Sequence, residues 1–220
     1  MSLSKKFISL LKDENSQTAL IDGADAIAGY LADDELLSSI PVVNTMVSVG
    51  KVALSYRDRK LVKKISVFLS RLEDVEAHKI TEFVDRLEND DYREKIGDKL
   101  LTLLDRADDD EKAKIIGGLF RLYVTNRITR DTFDVLAHAI DRVHFFELHH
   151  LRHAYKNEYS MQDIGPLFLP FRIVKLEVKY FKHSPNALFG EYAKEDHVVQ
   201  TYELTSIGKQ LVSFLNELYG

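Results

Sequence analysis

Residues 160–181 read SMQDIGPLFLPFRIVKLEVKYF, and residues 200–208 read QTYELTSIG. In the first stretch Val174, Leu176, Val178 and Tyr180 alternate with Lys175, Glu177, Lys179 and Phe181, and a period of two belongs to a strand. Gln200, Tyr202 and Leu204 alternate again after a polar segment containing Ser184, Pro185, Asn186 and Gly190. Two strands joined by a long loop are therefore expected. Ser160 and Asp163 are placed to cap a short helix that ends near Pro170. Thr205 is placed to cap a last helix with the face Ile207, Leu211, Phe214, Leu215 and Leu218.

Outward from this hairpin, toward the amino terminus, the spacing is helical. Phe133, Leu136, Ala139, Ile140 and Val143 read as one helix, and Phe146, Leu148, Leu151 and Tyr155 as its successor. From residue 16 to about 128 no window alternates for long. Leu61, Ile65, Phe68, Leu69 and Leu72 form one stripe, Ile80, Phe83, Val84 and Leu87 another, and Ile96, Leu100, Leu103 and Leu104 a third. The run Ile115, Ile116, Leu119, Phe120, Leu122 and Tyr123 is dense enough for a helix buried on more than one side, with Gly117-Gly118 serving close helix packing. Asp33, Ser39 with Pro41, and Asp108 with Glu111 three residues on are start signals. The short breaks predict largely antiparallel neighbours.

Composition narrows the function. The 220 residues hold 35 Asp+Glu against 30 Lys+Arg, a formal charge of −5, with 45% hydrophobic residues, ten glycines and four prolines. That is too apolar for disorder and too poor in turn residues for a β-sandwich. The chain has no cysteine, which excludes disulfides, thiolate nucleophiles and cysteine-ligated metals. Residues 73–111 carry 15 acidic and 6 basic side chains, a balance of −9 that repels nucleic acid from those helices. Within them, Asp105 and Asp108 to Glu111 lack the spacing and glycine of a calcium loop.

The phrase Tyr202-Glu203-Leu204-Thr205-Ser206-Ile207-Gly208, followed by an amphipathic helix, resembles the end of many bacterial winged-helix domains, where the last wing strand feeds a Leu-Thr-x-x-Gly helix start. This resemblance covers about the last 90 residues. The run Ile40-Pro41-Val42-Val43 through Arg57-Asp58-Arg59-Lys60 and Lys63-Lys64 to Phe68-Leu69 is similar to a segment of uncharacterised bacterial helical proteins and implies no chemistry. The expected fold is mainly α: a helical bundle over 1–128, then a winged-helix-like α+β region with one β-hairpin over 129–220.

Three functional readings follow. The first is a cytoplasmic, non-enzymatic protein whose winged-helix-like region contacts a protein partner or a second copy of itself, through Leu167, Phe168, Leu169 and Phe171. The second is nucleic-acid or anion contact through Arg172, Lys175, Lys179 and Lys182, three of them expected on one face. Against it, the segment that should read bases, 160–170, has no lysine or arginine and two prolines. The third is membrane contact. Lys5 and Lys6 border the stripe Leu3, Phe7, Leu10 and Leu11, and the apolar stretch 41–56 ends in Arg57, Arg59, Lys60, Lys63 and Lys64. Against that reading, sixteen residues with Asn44 and Lys51 inside are too few and too polar to span a bilayer.

Five of the eight histidines fall between His138 and His153. Glu147 and His150 are i, i+3, and His149 and His153 are i, i+4, the spacings of metal ligands on a helix. The two pairs point about 100° apart, as neighbouring helical positions must, so no metal or cofactor is expected. A Gly-x-Ser-x-Gly elbow and a phosphate-binding glycine loop are both absent, so no enzymatic activity is expected.

Overall fold

The computed structural model describes residues 2–28, 40–48, 54–87, 89–156, 160–181 and 197–220. Among them are eleven α-helices, one 3₁₀ turn and a two-stranded antiparallel sheet near the carboxy terminus. The chain divides into two compact units, Met1–Asp141 and Arg142–Gly220.

The first unit holds α1 (Leu3–Leu10), α2 (Glu14–Ala28), α3 (Pro41–Ser48), α4 (Tyr56–Ser70), α5 (Ala77–Arg86), α6 (Asp90–Arg106), α7 (Asp110–Val124) and α8 (Arg130–Arg142, to Asp141). Helix starts are set by short polar side chains. Ser55 and Asp58 form a reciprocal capping box on α4, and Asn89 Oδ1 accepts the Tyr92 amide at 2.7 Å at the head of α6. On α7 the cap is Asp109, not Asp108: Asp109 Oδ1 accepts the Lys112 amide at 2.9 Å. Asp108 instead meets the ammonium of Lys112, a buried side chain one turn along, at 2.9 Å. Asp33, Ser39, Lys51, Val52 and Ala53 lie outside the described residues.

The centre of this unit is a chain of rings: Phe7, Phe68, Phe120, Phe83, Tyr123 and Phe133, each within 5.8 Å of the next named ring or of Phe120 or Tyr123. Helix α7 runs through it, with Ile115, Ile116, Leu119, Phe120 and Val124 all buried. Gly117 lets α7 and α4 touch, because a Cβ there would stand 2.6 Å from the Phe68 carbonyl. Phe133 stacks on Tyr123 at 5.0 Å, so α8 joins this unit and the division falls one helix later than Thr129. The stripe of α1 is spent here too, with Phe7, Leu10 and Leu11 buried and α1 packed on α6. Among the described residues no helix is long and apolar enough to cross a membrane.

The second unit holds α9 (Phe145–Tyr155), α10 (Met161–Phe168), the 3₁₀ turn Leu169–Phe171, β1 (Val174–Phe181), β2 (His197–Leu204) and α11 (Ser206–Tyr219). Leu148, Leu151, Ile164, Phe168, Ile173, Val174, Leu211 and Leu215 form its core. Arg152, itself buried, donates to Asn216 Oδ1 at 2.8 Å and to the Tyr219 carbonyl at 3.1 Å, closing the carboxy end of α11. Phe146 and Tyr155 do not share the buried stripe of α9. Positions 146 and 148 lie about 200° apart on a helix, so burying Leu148 and Leu151 leaves Phe146 exposed.

Candidate protein interface

The hairpin is fastened at its base by the Leu-Thr-x-x-Gly phrase. Thr205 Oγ1 donates to the Arg172 carbonyl at 2.7 Å, the Thr205 amide donates to the Ile173 carbonyl at 3.0 Å, and Thr205 Oγ1 accepts the Gly208 amide at 3.1 Å. Gly208 cannot be replaced there, since a Cβ would meet the Ile173 carbonyl at 2.0 Å. Arg172 takes a left-handed φ of 59°, a cost of about 1–2 kcal/mol for a residue with a Cβ, and turns the chain from the 3₁₀ segment into β1.

Register assigns the faces. Val174 opposes Leu204, Leu176 opposes Tyr202, Val178 opposes Gln200 and Tyr180 opposes Val198, and directly opposite residues of an antiparallel pair share a face. This apolar face is covered at its base: Val174 is buried, and Tyr202 lies against Gly165 of α10. Further out it is open. Leu176 is 37% exposed, Val178 58%, Tyr180 56% and Val198 55%. Alternation along β1 reads as a half-buried strand in the sequence, but only Val174 of the four is buried. A period of two fixes which residues share a face; it does not supply the layer that would cover it.

The opposite face carries Lys175, Glu177, Lys179 and Glu203. The Lys175 ammonium reaches Glu177 Oε1 at 2.6 Å and Glu203 Oε2 at 2.9 Å. Bonding to Glu177 first, then to Glu203, holds the Lys175 pKa above its ordinary value, and Lys175 in turn holds Glu177 below the usual carboxylate range. The expected cationic face is therefore smaller than its sequence count. Lys175 and Lys179 share it, Arg172 precedes the strand, position 182 has the opposite parity, and Lys182 lies outside the described residues.

The run from Leu167 to Phe171 divides. Phe168 is fully buried in the core of the unit, Phe171 is half-buried, and Leu167 and Leu169 are exposed. Helix periodicity sends neighbours outward and inward by turns, so two of the four residues face solvent.

The basic residues near the amino terminus are largely committed within the first unit. Lys5 meets Glu94 at 3.3 Å, Lys63 meets Asp110 at 3.2 Å, and Lys60 lies 4.7 Å over the Tyr56 ring. Lys64 is buried, donating to the carbonyls of Asp105 at 3.2 Å and Ala107 at 2.6 Å at the end of α6. Lys6 is half-buried. Arg57 forms a two-pronged ion pair with Asp105, which lowers the pKa of that carboxyl. The acidic run thus serves as caps and ion-pair partners.

On α9, Glu147 Oε2 stands 3.8 Å from His150 Nδ1. His149 stacks on Phe145 at 5.5 Å and meets the His153 ring edge-on at 5.1 Å beside Tyr219. No group of three metal-ligating side chains occurs among the described residues.

Sequence reasoning gave no sign of one feature of the first unit, an open cleft of about 560 Å³ between α5, α6, α7 and α8. Arg130 lies 4.6 Å over the Tyr92 ring, Arg86 donates to Asn126 Oδ1 at 3.2 Å, and Asn126 holds a left-handed φ of 58°. The Tyr123 phenol on its wall is pushed up to about 12, chiefly by burial and then by Tyr92 beside it. Its residues come from four separate helices, so no local motif announces it.

Compared with known proteins, the chain matches no family model, no curated sequence and no solved structure.

Proposed function

We propose that residues 142–220 form a winged-helix-like module used for protein contact, and that the protein is a binding protein without catalytic activity. The order helix, helix, hairpin, helix and the Thr205–Gly208 lock at the hairpin base support the module. One observation carries the contact reading: the outer apolar face of the hairpin, Leu176, Val178, Tyr180 and Val198, is open to solvent while Leu167 and Leu169 stand exposed in the same unit. Single exposed apolar residues are ordinary; a strand face made of them marks an interface. The face that meets solvent beside α10 offers Gln162, Asp163, Pro166 and Leu167, which lack the cations that duplex binding requires.

The test is site-specific photo-crosslinking in the protein's own cells. A benzophenone side chain at Val178 or Val198 is expected to trap protein, either this chain or another, whereas the same group at exposed Asp131 of α8 is not. Irradiation that yields no protein adduct from either hairpin position overturns the reading.

A further inference from the structure

We infer that the partner of this hairpin is a second copy of the chain, docked edge to edge through β1 about a two-fold axis at Val178. The inference rests on the contact reading above and names its partner. Three observations lead to it: which edge is open, what the strand charges permit, and where the exposed apolar residues stand.

The two edges of the sheet differ. Helix α10 touches both strands, but α11 lies against β2, and Gln162 Nε2 of α10 donates to the Gln200 carbonyl at 2.9 Å on the β2 side. Among the described residues β1 is laddered to β2 alone; Ile173 accepts from Thr205 and the Gln200 carbonyl turns to Gln162, so the odd-numbered residues of β1 face β2 and the amides and carbonyls of Leu176 and Val178 turn to its other edge. Such an edge is a template for another strand. It contains no proline and no bulge.

The sequence VKLEVKYF then selects the register. Two copies pairing antiparallel keep their apolar faces on one side when a residue sits on the axis and meets its own copy; a slip of one residue sets apolar against charged. An axis at Glu177 opposes two glutamates and sets Lys175 against the partner's Lys179. An axis at Lys179 opposes two lysines. An axis at Leu176 satisfies the charges but needs Ile173 and Val174 beside the incoming strand, and both are buried at the hairpin base. An axis at Val178 sets Glu177 against the partner's Lys179 and Lys179 against the partner's Glu177, with Val178 on Val178 and Leu176 on Tyr180. Lysines on an edge strand ordinarily forbid pairing. Here the spacing of Glu177 and Lys179 makes them complementary to their own copy, and Lys179 has no carboxylate within ion-pair distance among the described residues. The product is an isologous dimer with a four-stranded antiparallel sheet, Val178 meeting its own copy and Leu176 meeting Tyr180 across the junction.

Charge reversal and mixing test the register directly. Sedimentation velocity on the full 25.3 kDa chain is expected to show a concentration-dependent dimer. Glu177→Lys and Lys179→Glu each convert two attractions into two repulsions, and each is expected to weaken the dimer by about tenfold or more. An equimolar mixture of the two variants, one of them uniformly labelled with heavy nitrogen, is expected to regain wild-type association as a heterodimer, which native mass spectrometry identifies from the two chain masses. Recovery on mixing shows that both variants are folded. A wild-type chain that stays monomeric through the concentration series overturns the inference, as does a dimer indifferent to both reversals or a mixture that fails to associate. The photo-crosslink separates this failure from that of the broader reading. An adduct of foreign mass from Val178 keeps the interface and removes the second copy; no adduct removes both.

Discussion

Helix α7 and the β1–β2 hairpin each carry a long apolar series, and the two series end in opposite surroundings. Along α7 nearly every apolar side chain is buried, because α4, α5 and α6 pack around it and Gly117 brings one of them to backbone contact. Along β1 burial stops after Val174, although Leu176, Val178 and Tyr180 continue the same face. A helix of fifteen residues can be enclosed by other helices on all sides. A two-stranded ribbon has two faces and two edges, and the described residues of the second unit cover its base while its outer apolar side chains stand exposed. The difference separates apolar residues that hold the fold together from apolar residues that are left for association.

The comparison breaks most visibly at Phe120. This ring is fully buried and touches Phe68 at 5.4 Å, Phe83 edge-on at 5.4 Å and Phe133 at 6.1 Å. Phe120→Ala removes the shared neighbour of three helices that cannot all move inward. A loss of about 3–5 kcal/mol is expected, read as a lower urea midpoint at unchanged slope. A loss under about 1 kcal/mol would mean that α7 is no more essential to its unit than the outer hairpin is to its own.

What the sequence disclosed follows the same division. Helical stripes, the capping residues Ser160 and Thr205, and the strand pair at 174–181 were readable because each is a local pattern with its own period or hydrogen bond. The Gly117 packing role was readable because a glycine pair inside an apolar stripe has few other uses. Exposure was not readable. Phe168 and Leu167 are adjacent and equally apolar, and only the position of the surrounding helices decides that one is core and the other surface. The burial of Lys64 is not legible for the same reason: among five basic residues, nothing local says which ammonium turns inward. The cleft lined by Tyr92, Tyr123 and Arg130 is wholly a product of tertiary placement.

Lys64 provides the next test, because it is a polar group in the interior of the first unit. Lys64→Met leaves the carbonyls of Asp105 and Ala107 without their donor, at a cost of about 1–3 kcal/mol at neutral pH. The pH dependence has a definite sign. Burial, the largest influence, lowers the Lys64 pKa below its ordinary 10.5. Between that lowered value and 10.5 the unfolded chain holds a proton that the folded chain has released, so stability supplied by this group rises with pH through the window. Urea unfolding at neutral pH and just below 10.5 should show the gap between wild type and Lys64→Met widening on the alkaline side. A gap that narrows would mean that the ammonium is stabilised where it sits, and that the first unit tolerates charge inside.

The smallest expected effect on stability is at the open end of the hairpin, and its smallness is the point. Val178→Thr keeps the branched Cβ that suits a strand and removes a methyl that faces solvent. Measured on dilute protein, where association is negligible, the change should be within about 0.5 kcal/mol of zero, since Val178 is 58% exposed. In concentrated protein the same substitution should weaken self-association, because a methyl at the axis is lost from both copies at once. Equal melting curves together with unequal sedimentation would place Val178 on the side of association. A large loss of stability in dilute solution would instead show that the outer strand belongs to the core of its unit, which would erase the contrast between α7 and β1.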